Sequence, residues 1–414
     1  MGIYKRNEFF GSILYNTQDK EYYFCDELTT FLLKNKKNLP THDVLISRFE
    51  IDVDELEETI HDLEALLGGT DVVDVNNSAK EGMLSAPLRV FLDFTYACNL
   101  RCKHCFTHSG ERKVEELNLT EKKYIIDQMV EMGAFRISIA GGEPLISDEF
   151  FPFVEYARSK GVDVSFTTNG TLLTEDIINK LNDLQIRTIT ISLDGANEKD
   201  NDLIRGEGNF KMVTEKISLL SGLYQGRFAL RMTMMKHNTV NAEEYIQLAE
   251  KLKCKSVKFN AMRLTGRARD NSELLMSPSE YVEFVRNMEL SGICDNDNVK
   301  VIMPLNPFQK DPYDYIDGLG FGCVAGKDCM TISPEGFVRP CSQLGFDHAD
   351  GNCKTHTLMD IWTDGEVFNF YRTLAGNDEC LNCEVYDKCR GGCRYRALQA
   401  GDVNAIDPYC YLKY

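Results

Sequence analysis

Apolar residues recur along this chain with more than one rhythm, and the changes of rhythm divide it into three blocks. Residues 1 to about 85 open with short apolar or aromatic stretches, Phe9-Phe10 through Ile13-Leu14-Tyr15 and then Tyr22-Tyr23-Phe24. A helical pattern follows around Leu28, Phe31 and Leu32. A second is clearer, because Val53, Leu56, Ile60, Leu63 and Leu67 recur at helical spacing and make one apolar stripe. Gly68-Gly69 ends it, and 71–75 reads as a strand. Strands, helices and a closing strand describe a small winged-helix-like α+β module over residues 1–85. The polar stretch from Asn76 to Pro87 reads as a linker.

The second block, 88–300, alternates strand and helix. Strands are expected at Leu88–Phe94, Phe135–Ile139, Val162–Thr167, Arg187–Leu193, Phe228–Met234 and Ser256–Asn260. Helices are expected near 120–132, 149–160, 174–184, 209–224 and 242–253, with one more from Pro278, where Ser277 and Glu280 form a capping box. Repeated βα units imply a parallel sheet buried on both faces. Six of them make a partial (β/α)6 version of the eight-stranded barrel, in which chemistry sits in loops after the carboxyl ends of the strands. The third block, 301–414, loses periodicity, gains Gly, Pro and Cys, and is expected to be loop-rich with little apolar core.

Length and composition fit this division. A chain of 414 residues is too long for one ordinary core. No stretch reaches the roughly 20 apolar residues of a membrane span, and Met-Gly-Ile-Tyr-Lys-Arg has no apolar run behind it, so a cytoplasmic location is expected. The net charge of −18 repels phosphate backbones and anionic headgroups, which argues against nucleic acid and membrane partners. Residues 1–85 hold 8 Lys/Arg against 17 Asp/Glu, so the first module is no DNA binder either.

Fifteen cysteines are unusual for a reducing compartment, and metal or cluster ligation is the better reading. Cys98, Cys102 and Cys105 form a C-x3-C-x2-C run directly after the first barrel strand. Three thiolates can wrap one corner of a cube-shaped cluster and leave one iron open, although spacing alone also fits a zinc knuckle. Gly141-Gly142-Glu143-Pro144 ends the second strand, so both motifs surround one mouth.

Here the chain resembles the radical S-adenosylmethionine (SAM) superfamily. Cys98, Cys102 and Cys105 match its cluster signature, His104 takes the usually aromatic position beside the adenine, and Gly141, Gly142, Glu143 and Pro144 match the motif that binds the methionine amine. The resemblance implies that the reduced cluster splits SAM and that the resulting 5′-deoxyadenosyl radical takes hydrogen from an unactivated C–H bond. Asn169 at the end of strand three, and Ser192 and Asp194 at the end of strand four, resemble segments lining the cofactor. Ser192, with Arg205 or Arg231, is a candidate for the methionine carboxylate.

The C-terminal cysteines resemble the SPASM extension of this superfamily. By that resemblance Cys323, Cys329, Cys341 and Cys393 ligate one auxiliary [4Fe–4S] cluster, and Cys380, Cys383, Cys389 and Cys410 a second, making three clusters in all. Four thiolates on each leave no open iron, so electron relay is their expected role. Cys25, Cys254, Cys294 and Cys353 fit neither array and read as packed thiols. Six histidines, among them His108 and His237, lack ligand spacing.

An N-terminal module of this size resembles the leader-peptide recognition element of ribosomal-peptide (RiPP) maturases of the sactipeptide and ranthipeptide type, which accepts a leader as an added strand. The exposed edge is expected among the strands before Cys25; a purely structural cap is the alternative. The implied partners are a precursor peptide with its leader and a one-electron donor such as flavodoxin or ferredoxin. The implied reaction is an intramolecular cross-link, a thioether first and a carbon–carbon bond second. A sulfatase-maturing enzyme that makes formylglycine is the alternative, and a non-catalytic iron–sulfur carrier is the alternative of another class.

Overall fold

A computed structural model describes residues 2–75, 80–295, 298–303 and 322–413, apart from the side chains of Asp295 and Lys388. Part of the expected linker, 76–79, and the start of the third block, 304–321, lie outside the described residues.

The N-terminal module is a sheet of order β3-β2-β1-β4, made of β1 (Ile3–Glu8), β2 (Gly11–Asn16), β3 (Glu21–Cys25) and β4 (Val72–Asp74). Phe9-Phe10, which opens the first aromatic stretch, forms the β1–β2 turn. Three helices, α1 (Glu27–Asn35), α2 (His42–Phe49) and α3 (Val53–Leu67), lie between β3 and β4. Asp26 and Asp52 cap α1 and α3 by accepting from the Thr29 and Glu55 amides. Along the α3 stripe Leu56 and Leu67 are buried, while Val53 at its start is exposed. The sequence reading missed α2, a short helix that buries only Leu45 and therefore writes almost no stripe.

All six expected barrel strands are present and parallel: β5 (Arg89–Asp93), β6 (Arg136–Ala140), β7 (Asp163–Thr168), β8 (Thr188–Ser192), β9 (Arg227–Met234) and β10 (Ser256–Ala261). The expected helices are α4 (Leu119–Met132), α5 (Phe150–Ser159), α6 (Glu175–Asp183), α8 (Asn209–Leu223), α9 (Ala242–Lys251) and α10 (Pro278–Leu290), and α7 (Glu198–Arg205) is an addition. The capping box at Ser277 and Glu280 forms as expected.

The sheet differs from the expectation at its margins. It runs to nine strands, because β11 (Lys300–Ile302) joins β10 in parallel, and β12 (Cys329–Ile332), with its antiparallel partner β13 (Val338–Arg339), joins β5. The expected boundary at residue 300 therefore cuts through a strand. The C-terminal block also has more apolar core than expected. Met330, Ile332, Leu358, Trp362 and Phe368 are fully buried in the same cluster as the barrel strands, with α11 (Leu358–Asp364) and α12 (Glu366–Thr373) supplying the last three.

The first module sits on the floor of the barrel, at the amino ends of its strands. Tyr4 and Tyr15 pack on Phe135 with ring centroids 4.5 and 4.8 Å away, the second pair nearly parallel. Arg6 donates to the carbonyls of Pro87 and Gly133 and pairs with buried Glu8, which accepts from Ser85. Glu21 at the start of β3 lies between Arg136 and Arg187. Phe135→Ala should cost about 3–5 kcal/mol and loosen this seat first. Faster hydrogen exchange at Ile13–Tyr15 than in the barrel strands is the expected readout; uniform loosening would contradict the seat.

Candidate functional site

The loop after β5 carries Cys98, Cys102 and Cys105, and its backbone is held at both ends. The Cys98 amide donates to the Gly110 carbonyl and the Gly110 amide to that of Tyr96. Facing it, the amides of Gly142 and Glu143 donate to the carbonyls of Thr95 and Ala97. A Cβ at Gly142 would stand 2.1 Å from the Ala97 oxygen, and one at Gly141, whose φ is +106°, would stand 2.7 Å from that of Thr95. Only glycines let the end of β6 lie this close to the cysteine loop. The expectation gave these glycines to the cofactor; here their first partner is the cysteine loop itself.

Glu143 is fully buried and accepts from the Asn169 and Leu145 amides and the Thr168 hydroxyl at 2.7–3.1 Å. Burial pushes its carboxyl up to about 7 against those hydrogen bonds. It thus ties the end of β6 to the end of β7, and a carboxylate has lone pairs left for a further donor. Pro144 opens the short turn that follows. The Asn169 amide group reaches Asn99 at 2.8 Å and the Cys98 sulfur at 3.9 Å.

Asp194 organises the opposite wall. Its carboxylate, fully buried, lies 2.7 Å from Arg205 and 2.8 Å from His104, and it accepts from the Thr233 amide. Burial alone would raise it, but Arg205 and then His104 hold it well below the usual carboxylate range. Arg205 in turn reaches the Cys102 sulfur at 3.9 Å. Its Nε and the Nδ1 of His104 are buried without a protein partner, so one guanidinium donor and one imidazole nitrogen beside the cysteine loop are left for a bound molecule. Ser192 ends β8 in register with Arg231 on β9. Arg231 itself lines a cavity inside the barrel.

Some residues at the mouth escaped the sequence reading. Helix α7 delivers Arg205 and packs Ile204 against Cys102; Asn197 capping the Asp200 amide was its only sequence signal. Arg267 straps the cysteine loop by donating to the carbonyls of Cys102 and Ser109. Asp93, at the top of β5, is pushed up to about 6 by burial despite Arg339 and Arg263. No spacing rule marks these residues, because their partners are distant in sequence.

Several of the thiols named as ligands are electrostatic neighbours, although among the described residues no three His, Cys, Asp or Glu side chains stand close enough together to hold a single metal ion. Burial raises Cys98 and pushes Cys102 up to about 11, and both sense Cys105. Cys323, at about 12 through burial, senses Cys393 and Cys341, and Cys341 in turn acts on Cys329. Cys380, Cys383, Cys389 and Cys410 line one cavity of about 250 Å³. Asp407 joins the last two sets by accepting from the Cys393 and Tyr409 amides and pairing with Arg396. Four cysteines around one cavity suit a soft metal body larger than a single ion, bound as thiolates. Cys25, Cys254 and Cys353 are buried thiols outside these sets. A further cavity of about 520 Å³ opens between the end of β10 and the C-terminal block, lined by Met262, Arg263, Gln343, Tyr395 and Tyr409 among others.

Comparison with known proteins agrees with this geometry. The radical SAM superfamily matches residues 92–252, and an iron-sulfur cluster-binding domain, SPASM, matches 323–390. The mycofactocin maturase MftC of Mycolicibacterium smegmatis is 30% identical over 338 residues, covering 79% of this chain and 83% of that protein. The chain belongs to the radical SAM superfamily. It is an enzyme of that superfamily with a SPASM domain, and SAM and iron–sulfur clusters are its cofactors. An AdoMet-dependent heme synthase of Methanosarcina barkeri is 29% identical over 349 residues, 79% of this chain and 97% of that protein. Streptococcus suis SuiB, solved with its precursor peptide SuiA, has the same fold, with a TM-score of 0.72 over 98% of this chain and 97% of that one at 18% identity. Among the described residues no helix is long and apolar enough to cross a membrane.

Asp194→Asn should leave Arg205 and His104 unpaired, at a cost of about 3–5 kcal/mol. A depressed carboxyl stabilises above its ordinary range and loses that stabilisation as pH falls toward its folded value. The gap between wild type and variant, read from hydrogen exchange in the cysteine loop, should therefore be full at neutral pH and shrink in strong acid. A pH-independent gap would contradict the ion pairs.

Proposed function

We propose that this protein is a peptide maturase that takes a hydrogen atom from a ribosomally made precursor and closes an intramolecular cross-link, a thioether before a carbon–carbon bond. SuiB, solved with its precursor peptide, supports a peptide substrate, and the mycofactocin maturase supports a maturation reaction. The observation that carries the reading is the pairing of a cysteine loop, locked by Gly141 and Gly142, with the four-cysteine cavity of the C-terminal block.

Cys98, Cys102 and Cys105 hold the first [4Fe–4S] cluster, and the two C-terminal sets hold one each. With SAM bound, the first cluster would supply the reducing electron for hydrogen abstraction from the substrate. The chain's own residues do the rest. Gly141 to Pro144 receive the methionine amine, Arg205 and Ser192 take its carboxylate, and His104 and Asn169 line the cofactor. The 520 Å³ cavity beside Arg263 and Tyr395 receives the peptide. Closing one bond removes two hydrogens from the peptide: one atom goes to 5′-deoxyadenosine, and the other leaves as a proton and an electron. The C-terminal sets would hold the groups able to accept that electron, and a flavodoxin or ferredoxin would serve as the outside one-electron donor.

The leader lies along β3. Strand β3 is an edge of its sheet, and its start is fixed to the barrel through Glu21 and Tyr22. Deleting residues 1–85 would uncover Phe135 and strip Glu21 from Arg136 and Arg187, so it would disturb the barrel as well as the leader site. Binding of the precursor, sought as a short reading frame beside the gene, should instead slow hydrogen exchange at Glu21–Cys25. Slowing confined to the barrel mouth would point to the structural-cap reading.

Cys102→Ala should abolish 5′-deoxyadenosine formation. In wild type the same peptide should lose the mass of two hydrogens. Uptake of one solvent deuteron without that loss would mean epimerisation and would overturn the cross-link.

A further inference from the structure

The barrel lumen holds positive charge that its own acids do not neutralise. A cavity of about 170 Å³ inside the barrel is lined by six charged residues, Arg89, Arg136, Asp163, Arg187, Arg231 and Lys258. Toward the floor the charges are matched. Arg187 pairs with Asp163 and with Glu21 of the first module, and Arg136 pairs with the same Glu21.

Higher up they are not. Arg231 on β9 and Lys258 on β10 stand side by side in register. Their polar contacts are weak. Arg231 reaches the Thr167 hydroxyl and Lys258 the Thr190 hydroxyl, each at 3.4 Å. The Nε of Arg231 is buried with no partner. The charged groups that bear on Arg231 are Arg263 and Arg89, and those that bear on Lys258 are Arg231 and Arg89; all are positive. Burial and that repulsion bring the lysine down to about 8. Two buried cations with only hydroxyls for partners are costly unless an anion joins them. The cavity has the volume of roughly five waters, enough for one carboxylate.

We propose that Arg231 and Lys258 bind a carboxylate of the substrate, with the guanidinium gripping both oxygens and the ammonium closing the site from the neighbouring strand. The planar fork of Arg231 suits two parallel hydrogen bonds, and the lysine adds a point charge. SAM is not the source assigned here, because Arg205 already stands beside Cys102 for that carboxylate. The inference deepens the peptide reading and rests on it. The carboxylate belongs either to an Asp or Glu side chain or to the peptide's C-terminus.

The test uses the full, anaerobically reconstituted chain saturated with SAM. Three probes are titrated by saturation-transfer NMR: N-acetylaspartyl methylamide, which carries a side-chain carboxylate; N-acetylalanine, which carries a terminal one; and neutral N-acetylasparaginyl methylamide. At least one carboxylate probe should bind about tenfold more tightly than the neutral one, the worth of about one charge-assisted pair, and which one it is names the source. Arg231→Met with Lys258→Met should erase the preference and leave SAM affinity unchanged. If that double variant fails to take up iron, Lys258→Met alone should reduce the preference. Equal binding of all three probes, or a preference that survives the substitutions, overturns the proposal. So does loss of SAM affinity in the variant, which would give the pair to the methionine carboxylate. None of these readouts uses peptide turnover, so their failure leaves the cross-linking reading to its own mass measurement.

Discussion

Close backbone contact between two strand ends is the constraint on which the rest of this protein depends. The carbonyls of Thr95 and Ala97 occupy the space where side chains of residues 141 and 142 would begin. With those positions empty of side chain, the cysteine loop and the turn after β6 interlock through two amide hydrogen bonds. Glu143 then reaches across to β7, Asp194 gathers Arg205 and His104 from the other side, and Arg267 straps the loop from outside. Three sulfurs are thus fixed by contacts that come from five different strand ends. A rigid ligand set is what lets a bound metal body keep one corner free for chemistry.

The same logic of shared contacts joins the three blocks. The first module does not hang from a linker; Ile13 and Tyr15 belong to the barrel's core, and Glu21 answers two arginines on the barrel floor. The last block completes the sheet through β12 and buries Trp362 in the common core. A strand added to β3 would therefore bear on an element already bonded to the barrel. The chain's net charge of −18 contrasts with its barrel lumen, where Arg89, Arg231 and Lys258 line one cavity.

Much of this was legible in the sequence, and what was legible had strong local signals. Six buried strands separated by helical stripes can hardly be read otherwise, and all six fall within two residues of their expected limits. The cysteine motifs were legible through their resemblance to the superfamily, and the family matches cover both regions that hold them. The misses share a cause. Strands β11 and β13 are three and two residues long and take their identity from neighbours in the sheet. Helices α2 and α7 are short, and α7 buries mainly polar residues, Asp200, Asn201 and Arg205, so no apolar stripe marks it. The partners of Glu143 and Arg267 become visible only once the strand ends are brought together.

On the proposed reading, Cys98, Cys102 and Cys105 would hold one iron–sulfur cluster and the two C-terminal sets two more. Iron and labile sulfide should be counted per chain after anaerobic reconstitution, in the wild type and with all three of those cysteines changed to Ala. Three four-iron clusters give about twelve irons in the wild type and about eight in the variant. Bound zinc, or about four irons in the wild type, would contradict the account.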